Sequence, residues 1–227
     1  MMDEVPLEGG RVTQGVVRVG DTVRRPVVPR SEFVQRLLVH LEHAGFEGAP
    51  RFLGIDEHGR QILTLLQGEP VPGTVILTDR QLRSAAELLR SYHEAASSAP
   101  TELRNGSGTV IHGDVGPWNI LWQGESALAL IDFDEARPGE PIDDLGYFAW
   151  KGLRLNSAGP PIPEQRRRLA LLAEAYGIAV DDALVTAIDA AYRSMIDKGR
   201  REAWPAASIE AIRGERTWYE QALPSLR

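Results

Sequence analysis

The segment Val110-Ile111-His112-Gly113-Asp114-Val115-Gly116-Pro117-Trp118-Asn119-Ile120-Leu121 puts a carboxylate, Asp114, five residues ahead of a carboxamide, Asn119. A second carboxylate, Asp132, follows in Ile131-Asp132-Phe133-Asp134, at the end of an apolar run. A carboxylate fixed on a loop can aim a hydroxyl and take its proton late in a reaction; Asp114 is the candidate. Phosphoryl transfer also needs the negative charge of the phosphates neutralised. Mg²⁺ does this with hard oxygen ligands and keeps several waters, so one or two protein groups suffice. Asn119 offers an amide oxygen and Asp132 a carboxylate. Gly116 and Pro117 bend the chain between Asp114 and Asn119, so that both side chains can face one cleft.

These groups need a scaffold. Val16 to Val19, a Gly20-Asp21 turn and Thr22 to Arg25 read as a strand hairpin, with Pro26 and Pro29 ending it. Ser31 is a fair N-cap for a helix to about Ala44, with Phe33, Val34, Leu37, Leu38 and Leu41 as its apolar stripe. Arg51 to Ile55, a turn at Glu57-His58-Gly59 and Gln61 to Leu66 read as another hairpin. Gly68 to Gly73, with Pro70 and Pro72, reads as a connector. An amphipathic helix follows from Asp79 to about Ala96. Thr109-Val-Ile and Leu128-Ala-Leu-Ile are short buried strands, and helices fall near 163–177, 181–198 and 206–222. The expected division is an N-terminal lobe over 1–67 and a helical C-terminal lobe over 68–227.

His112-Gly-Asp114, Asn119 and Ile131-Asp132-Phe133 together resemble the catalytic and metal-binding motifs of the aminoglycoside phosphotransferase and choline kinase family. Gly139-Glu-Pro-Ile-Asp-Asp144-Leu resembles that family's next block, and Leu89-Arg-Ser-Tyr-His93-Glu-Ala its helix ending in Leu-His. Gly113 favours the small-molecule branch over protein kinases, which carry Arg after the His. The resemblance covers about residues 15–150. It implies an α+β, two-lobed, protein-kinase-like fold, with ATP or GTP between the lobes and Mg²⁺ on Asn119 and Asp132. It implies Asp114 and Asn119 as catalytic residues, and His112, His93 and Asp144 as supports of the catalytic loop. Thr64, Leu65 and Leu66 would be the adenine-binding hinge, Leu63 the back of the pocket, and Gly9-Gly10-Arg-Val-Thr-Gln-Gly15 the loop over the phosphates. The sequence departs from the family in having no Lys before Lys151. Arg24 or Arg25 must then grip the phosphates, or nothing does, and of the two Arg24 is favoured by strand alternation. The Glu that normally partners the lysine has only Glu32 or Gln35 as a match.

Plainer readings stand beside these. His112 can brace its loop, Asp114 and Asn119 can be turn residues, and Arg24 and Arg25 can be strand-edge charges. Asp134 and Glu135 can be solvated loop acids. Trp118 can line the acceptor site or pack under the loop, and Arg166-Arg167-Arg168 can be a solvated helix face.

The 227 residues are 43% hydrophobic and 25% charged, an ordinary globular balance, and contain no cysteine. Net charge is −7, which argues against nucleic-acid or anionic-membrane partners. No apolar run approaches the ~18 residues of a membrane span, and a cytoplasmic location is expected. Residues 151–227 hold 12 Lys+Arg against 10 Asp+Glu, so the region where the family builds its acceptor pocket is slightly basic. An aminoglycoside, being a polycation, fits that poorly. The expected reaction moves the γ-phosphoryl group of ATP or GTP to a hydroxylated small molecule. The alternative is a catalytically weak or silent nucleotide-binding protein that acts on a partner or a toxic compound.

Overall fold

The computed structural model describes residues 3–7 and 15–226. The N-terminal part contains β1 (Glu4–Pro6), β2 (Val17–Val19), β3 (Thr22–Arg25), α1 (Ser31–His43), β4 (Phe52–Ile55) and β5 (Gln61–Thr64). The strands form one antiparallel sheet in the order β1-β2-β3-β5-β4. β3 faces β5 in the register Val23↔Leu63, Arg24↔Ile62 and Arg25↔Gln61. It stops before Pro26, which has no N–H to continue the ladder. Helix α1 buries Val34, Leu37, Leu38 and Leu41, one helical face. Ser31 is the first helical residue rather than the cap. Its buried Oγ accepts the Val28 N–H at 2.8 Å and the Gln61 side-chain N–H at 3.0 Å, so it stitches helix to sheet instead. β1 is an element without a sequence signal: its three residues are all exposed.

The C-terminal part is mainly helical: α2 (Asp79–Ser97), α3 (Thr101–Arg104), α4 (Pro141–Leu153), α5 (Ile162–Tyr176), α6 (Asp182–Arg201) and α7 (Ala206–Leu226). Two hairpin-like pairs are set among them. β6 (Thr109–Ile111) pairs with β9 (Arg137–Gly139), and β7 (Ile120–Gln123) with β8 (Ser126–Leu130). α2 begins at a Thr78–Gln81 capping box, a feature typically contributing about 1 kcal/mol. It packs Leu82, Ala85, Leu89 and Tyr92 inward. Burying a leucine side chain stabilises by roughly 1.5–3 kcal/mol. Trp150, Tyr192 and Tyr219 stack in series at 4.2 and 5.5 Å, joining α4, α6 and α7. The arginine run at the start of α5 is not a solvated face throughout. Arg167 forms a bidentate pair with Asp79 at 2.7 Å, and Arg168 is buried.

Between the two parts the chain is pinned at both ends of a short link. The Leu65 N–H bonds the Asp21 carbonyl, and Glu69 exchanges two backbone hydrogen bonds of 3.0 Å with Trp122. Gly68 sits between them at φ +104°, and a Cβ there would lie 2.9 Å from the Trp122 carbonyl oxygen, so only glycine fits.

Candidate active site

The loop after β6 is built on a buried carboxylate. Asp144, in the first turn of α4, accepts the backbone N–H of His112 at 2.6 Å and of Gly113 at 2.8 Å. It also accepts His93 Nε2–H at 3.1 Å, since a carboxylate offers no proton in return. His93 Nδ1 meets the Tyr176 hydroxyl at 2.7 Å. Burial pushes the Asp144 carboxyl up, but the hydrogen bond from His93 and the N–H of Gly113 outweigh it and leave it below the usual aspartate value. Gly113 is required on two grounds. Its φ is +80°, and a Cβ would meet the Glu135 carbonyl oxygen at 2.4 Å. His112 is fully buried and ties two segments together. Its Nε2 donates to the Ile131 carbonyl at 3.0 Å, and its Nδ1 accepts the Asp114 N–H at 3.3 Å. Its ring rests on Phe133 at 4.7 Å.

Asp114 is oriented through both oxygens. Tyr147 donates its hydroxyl to Oδ1 at 2.5 Å, and Asn119 Nδ2 donates to Oδ2 at 3.0 Å. Burial and the neighbouring Asp114 charge push the Tyr147 hydroxyl far up, so it stays a donor. The same Asn119 nitrogen donates to the Asp114 carbonyl at 2.8 Å. Both hydrogens of the amide are thereby used, and its Oδ1 carries no hydrogen bond among the described residues. The Ile131 N–H bonds the Asn119 carbonyl at 2.9 Å, which sets Asp132 beside that amide. Asp132 has left-handed backbone, φ +63°. Its Oδ1 is buried and accepts no hydrogen bond. Burial, then the Asp134 charge, push its carboxyl up, and Arg25 opposes them. A buried carboxylate oxygen without a donor is relieved by a cation, and an amide oxygen beside a carboxylate is a donor set that suits a hard divalent ion. These residues fit Mg²⁺.

The two arginines of β3 diverge. Arg24 turns to Asp56 at 3.6 Å and to the Thr22 hydroxyl at 2.5 Å. Arg25 is buried and reaches Asp134 at 2.5 Å and Asp132 at 3.6 Å. The expectation that Arg24 looks into the cleft is therefore corrected: strand alternation holds, but with the opposite register. Arg30 adds a second tie by donating to the Ala136 carbonyl. Glu32 is exposed, and Gln35 bonds Gln61 at 3.2 Å, so the structure pairs neither with Arg25. At the hinge, Thr64 exchanges bonds with Arg51 and the Leu65 N–H is used on Asp21. The backbone of Leu66 makes no hydrogen bond among the described residues. Leu63 is buried beneath them. The glycine-containing segment expected over the phosphates falls, at 9–14, outside the described residues. Trp118 packs over Gly73 and Gly116.

Sequence reasoning missed Tyr147, the other hydrogen-bond partner of Asp114. Its signal was its place on α4 one turn after Asp144, a helical spacing that puts both on the face toward the loop. Arg30 and Lys151 were also not singled out as neighbours of this site.

A sheet-rich N-terminal lobe, a helical C-terminal lobe and a carboxylate–amide–carboxylate constellation below their junction define the protein-kinase-like class. Within that class the chain is similar to phosphotransferases over part of its sequence and to small-molecule kinases in its fold. Residues 97–207 match the model of the APH family, the phosphotransferase enzyme family. Among curated proteins it is similar to the trifolitoxin immunity protein of Rhizobium leguminosarum bv. trifolii, 35% identical over 170 residues. That match spans 68% of this chain and 64% of the relative's length. Its fold is similar to the gentamicin complex of APH(2")-IIa, with a TM-score of 0.61, 12% identity, and 99% and 90% of the two chains covered. It is also similar to a choline/ethanolamine kinase family protein from Mesorhizobium loti, with a TM-score of 0.59, 14% identity, and 100% and 88% covered. No helix among the described residues is long and apolar enough to cross a membrane.

Proposed function

We propose that the chain is a cytoplasmic phosphotransferase that moves the γ-phosphoryl group of ATP or GTP to a hydroxyl of a small molecule. The observation that carries this reading is the buried Oδ1 of Asp132, which accepts no hydrogen bond and meets the Arg25 guanidinium only at 3.6 Å, on the segment tied to an Asn119 whose amide nitrogen is committed to Asp114. Asp114 takes the acceptor's proton. Tyr147 and Asn119 each occupy one site on its two oxygens, and a carboxylate has about four, so room remains for the incoming hydroxyl. Asn119 Oδ1 and Asp132 would hold Mg²⁺, which when bound neutralises phosphate charge and orients the phosphates. Arg25 is the phosphate-gripping cation in place of lysine, and a guanidinium can engage two oxygens at once. His112, His93 and Asp144 keep the loop in place.

The test measures Mg²⁺-nucleotide binding and ADP or GDP release across a panel of hydroxylated compounds. Asn119→Ala and Asp132→Ala should each weaken Mg²⁺-nucleotide binding and abolish turnover with the fold intact. Full Mg²⁺-dependent turnover in either variant refutes its role as a ligand. A second reading, nucleotide binding without transfer in an immunity role, is favoured by the relative's name and by the Arg25 ion pairs already on Asp132 and Asp134. Its signature is thermal stabilisation by nucleotide with no ADP or GDP release on any compound.

A further inference from the structure

Lys151 stands one helical turn after Tyr147 on α4, so the two side chains share a face. Tyr147 uses that face to hold Asp114. Lys151 lays its ammonium over the Trp150 ring, 3.4 Å from the centroid. It makes no ion pair and no hydrogen bond among the described residues. Glu215 and Asp114 are the charges that act on it, and its shared helix face with Tyr147, which touches Asp114, sets it on the Asp114 side of α4. Burial lowers its amino group to about 8, against the pull of both acids. A half-buried ammonium held only by an aromatic face retains part of its desolvation cost, and an anion offsets it.

Two of the acids on this side are already engaged. Glu215 accepts Trp150 Nε1–H at 2.8 Å and the Asn156 amide at 3.4 Å. Glu135, whose charge bears on Tyr147, is paired with Lys198 at 2.5 Å. The chain's two lysines thus both serve this end of the site, one neutralising a glutamate and one left over.

We propose that Lys151 binds an oxyanion carried by the acceptor, so that the substrate is a hydroxylated acid rather than an amino-alcohol or aminoglycoside. This rests on the phosphotransferase reading for the position of the acceptor. The hydroxyl meets Asp114 while the acid group meets Lys151, one helical turn along α4 from the Tyr147 that holds Asp114. Asp114 repels the anion, which orients it: only the hydroxyl end can approach the carboxylate.

The test pairs calorimetric binding without nucleotide and transfer with Mg²⁺-ATP. The probes are glycerate and 3-hydroxybutyrate as carboxylates, glycerol 3-phosphate as a phosphate ester, and choline, ethanolamine and gentamicin as cations. At least one acid should bind and be phosphorylated in preference to the cations. Lys151→Met should raise its Kd and KM about tenfold or more, the scale of one charge-assisted contact. Lys151→Arg should restore part of this, and the KM for ATP should not move. Carboxylate and phosphate sources separate by which probe responds. Preference for the cations, binding indifferent to Lys151→Met, or a changed ATP KM with unchanged acceptor KM overturns the inference. So does failure of every acid to bind. If no compound is phosphorylated yet an acid binds in a Lys151-dependent way, the transfer reading fails and the anion site stands.

Discussion

Replacing Asp144 by Asn removes one charge and one acceptor oxygen from a point where three donors meet. The Asn oxygen can stay with the Gly113 N–H, but its NH₂ then faces the His112 N–H and His93 Nε2–H, donors against donors. Leaving a buried N–H unmatched costs about 1–3 kcal/mol, and the surviving contact loses its charge assistance. The two unmatched groups sum to about 2–6 kcal/mol. For a chain of this size each kcal/mol lowers Tm by about 2–4 °C, so scanning calorimetry at neutral pH should show a fall of about 4–24 °C. The pH dependence carries a sign. The folded Asp144 carboxyl titrates below its ordinary value of 3.8. Its stabilisation is therefore complete above pH 3.8 and is lost as pH falls through the lower folded value, so the gap between the two proteins should close on acidification. A fall of less than about 2 °C at neutral pH, or a gap that widens in acid, would refute the account of Asp144 as the anchor of the loop.

Asp114→Asn should spare nucleotide binding and slow transfer by about 10²–10⁴-fold in single-turnover assays, the usual contribution of a positioned base. Unchanged turnover would make Asp114 a turn residue only. Arg25→Ala should weaken Mg²⁺-ATP binding while Arg24→Ala leaves it near wild type, because only Arg25 reaches the Asp132–Asp134 segment. Titration of both variants checks this, and an equal effect would show that neither is a specific phosphate ligand.

The gathering of Asp114, Asn119 and Asp132 was legible because it is local: the three stand at fixed spacings within one stretch. The helices α1, α2 and α5 to α7 were legible from apolar periodicity. What was not legible depends on contacts between distant segments. The side-chain face of β3 is set by pairing with β5, and the sequence around Pro26 does not encode it, so Arg24 was favoured where Arg25 turns inward. No helix was read over 141–153, so Tyr147 gives no signal until α4 is placed against the loop. β1 has one apolar residue, Val5, and exists only through pairing with β2. Arg168 looks like its neighbours in the run, yet it lies on the face of α5 turned inward.

The short link from Leu66 to Gly68 constrains how the molecule moves. With Leu65 held to Asp21 and Glu69 held to Trp122, the free span reaches only about 10 Å fully extended. Such a tether limits how far the N-terminal part can travel from the helical part. Any separation of the two would have to break the contacts of Arg25 and Arg30 with the 132–136 segment, so those two arginines act as a latch across the junction.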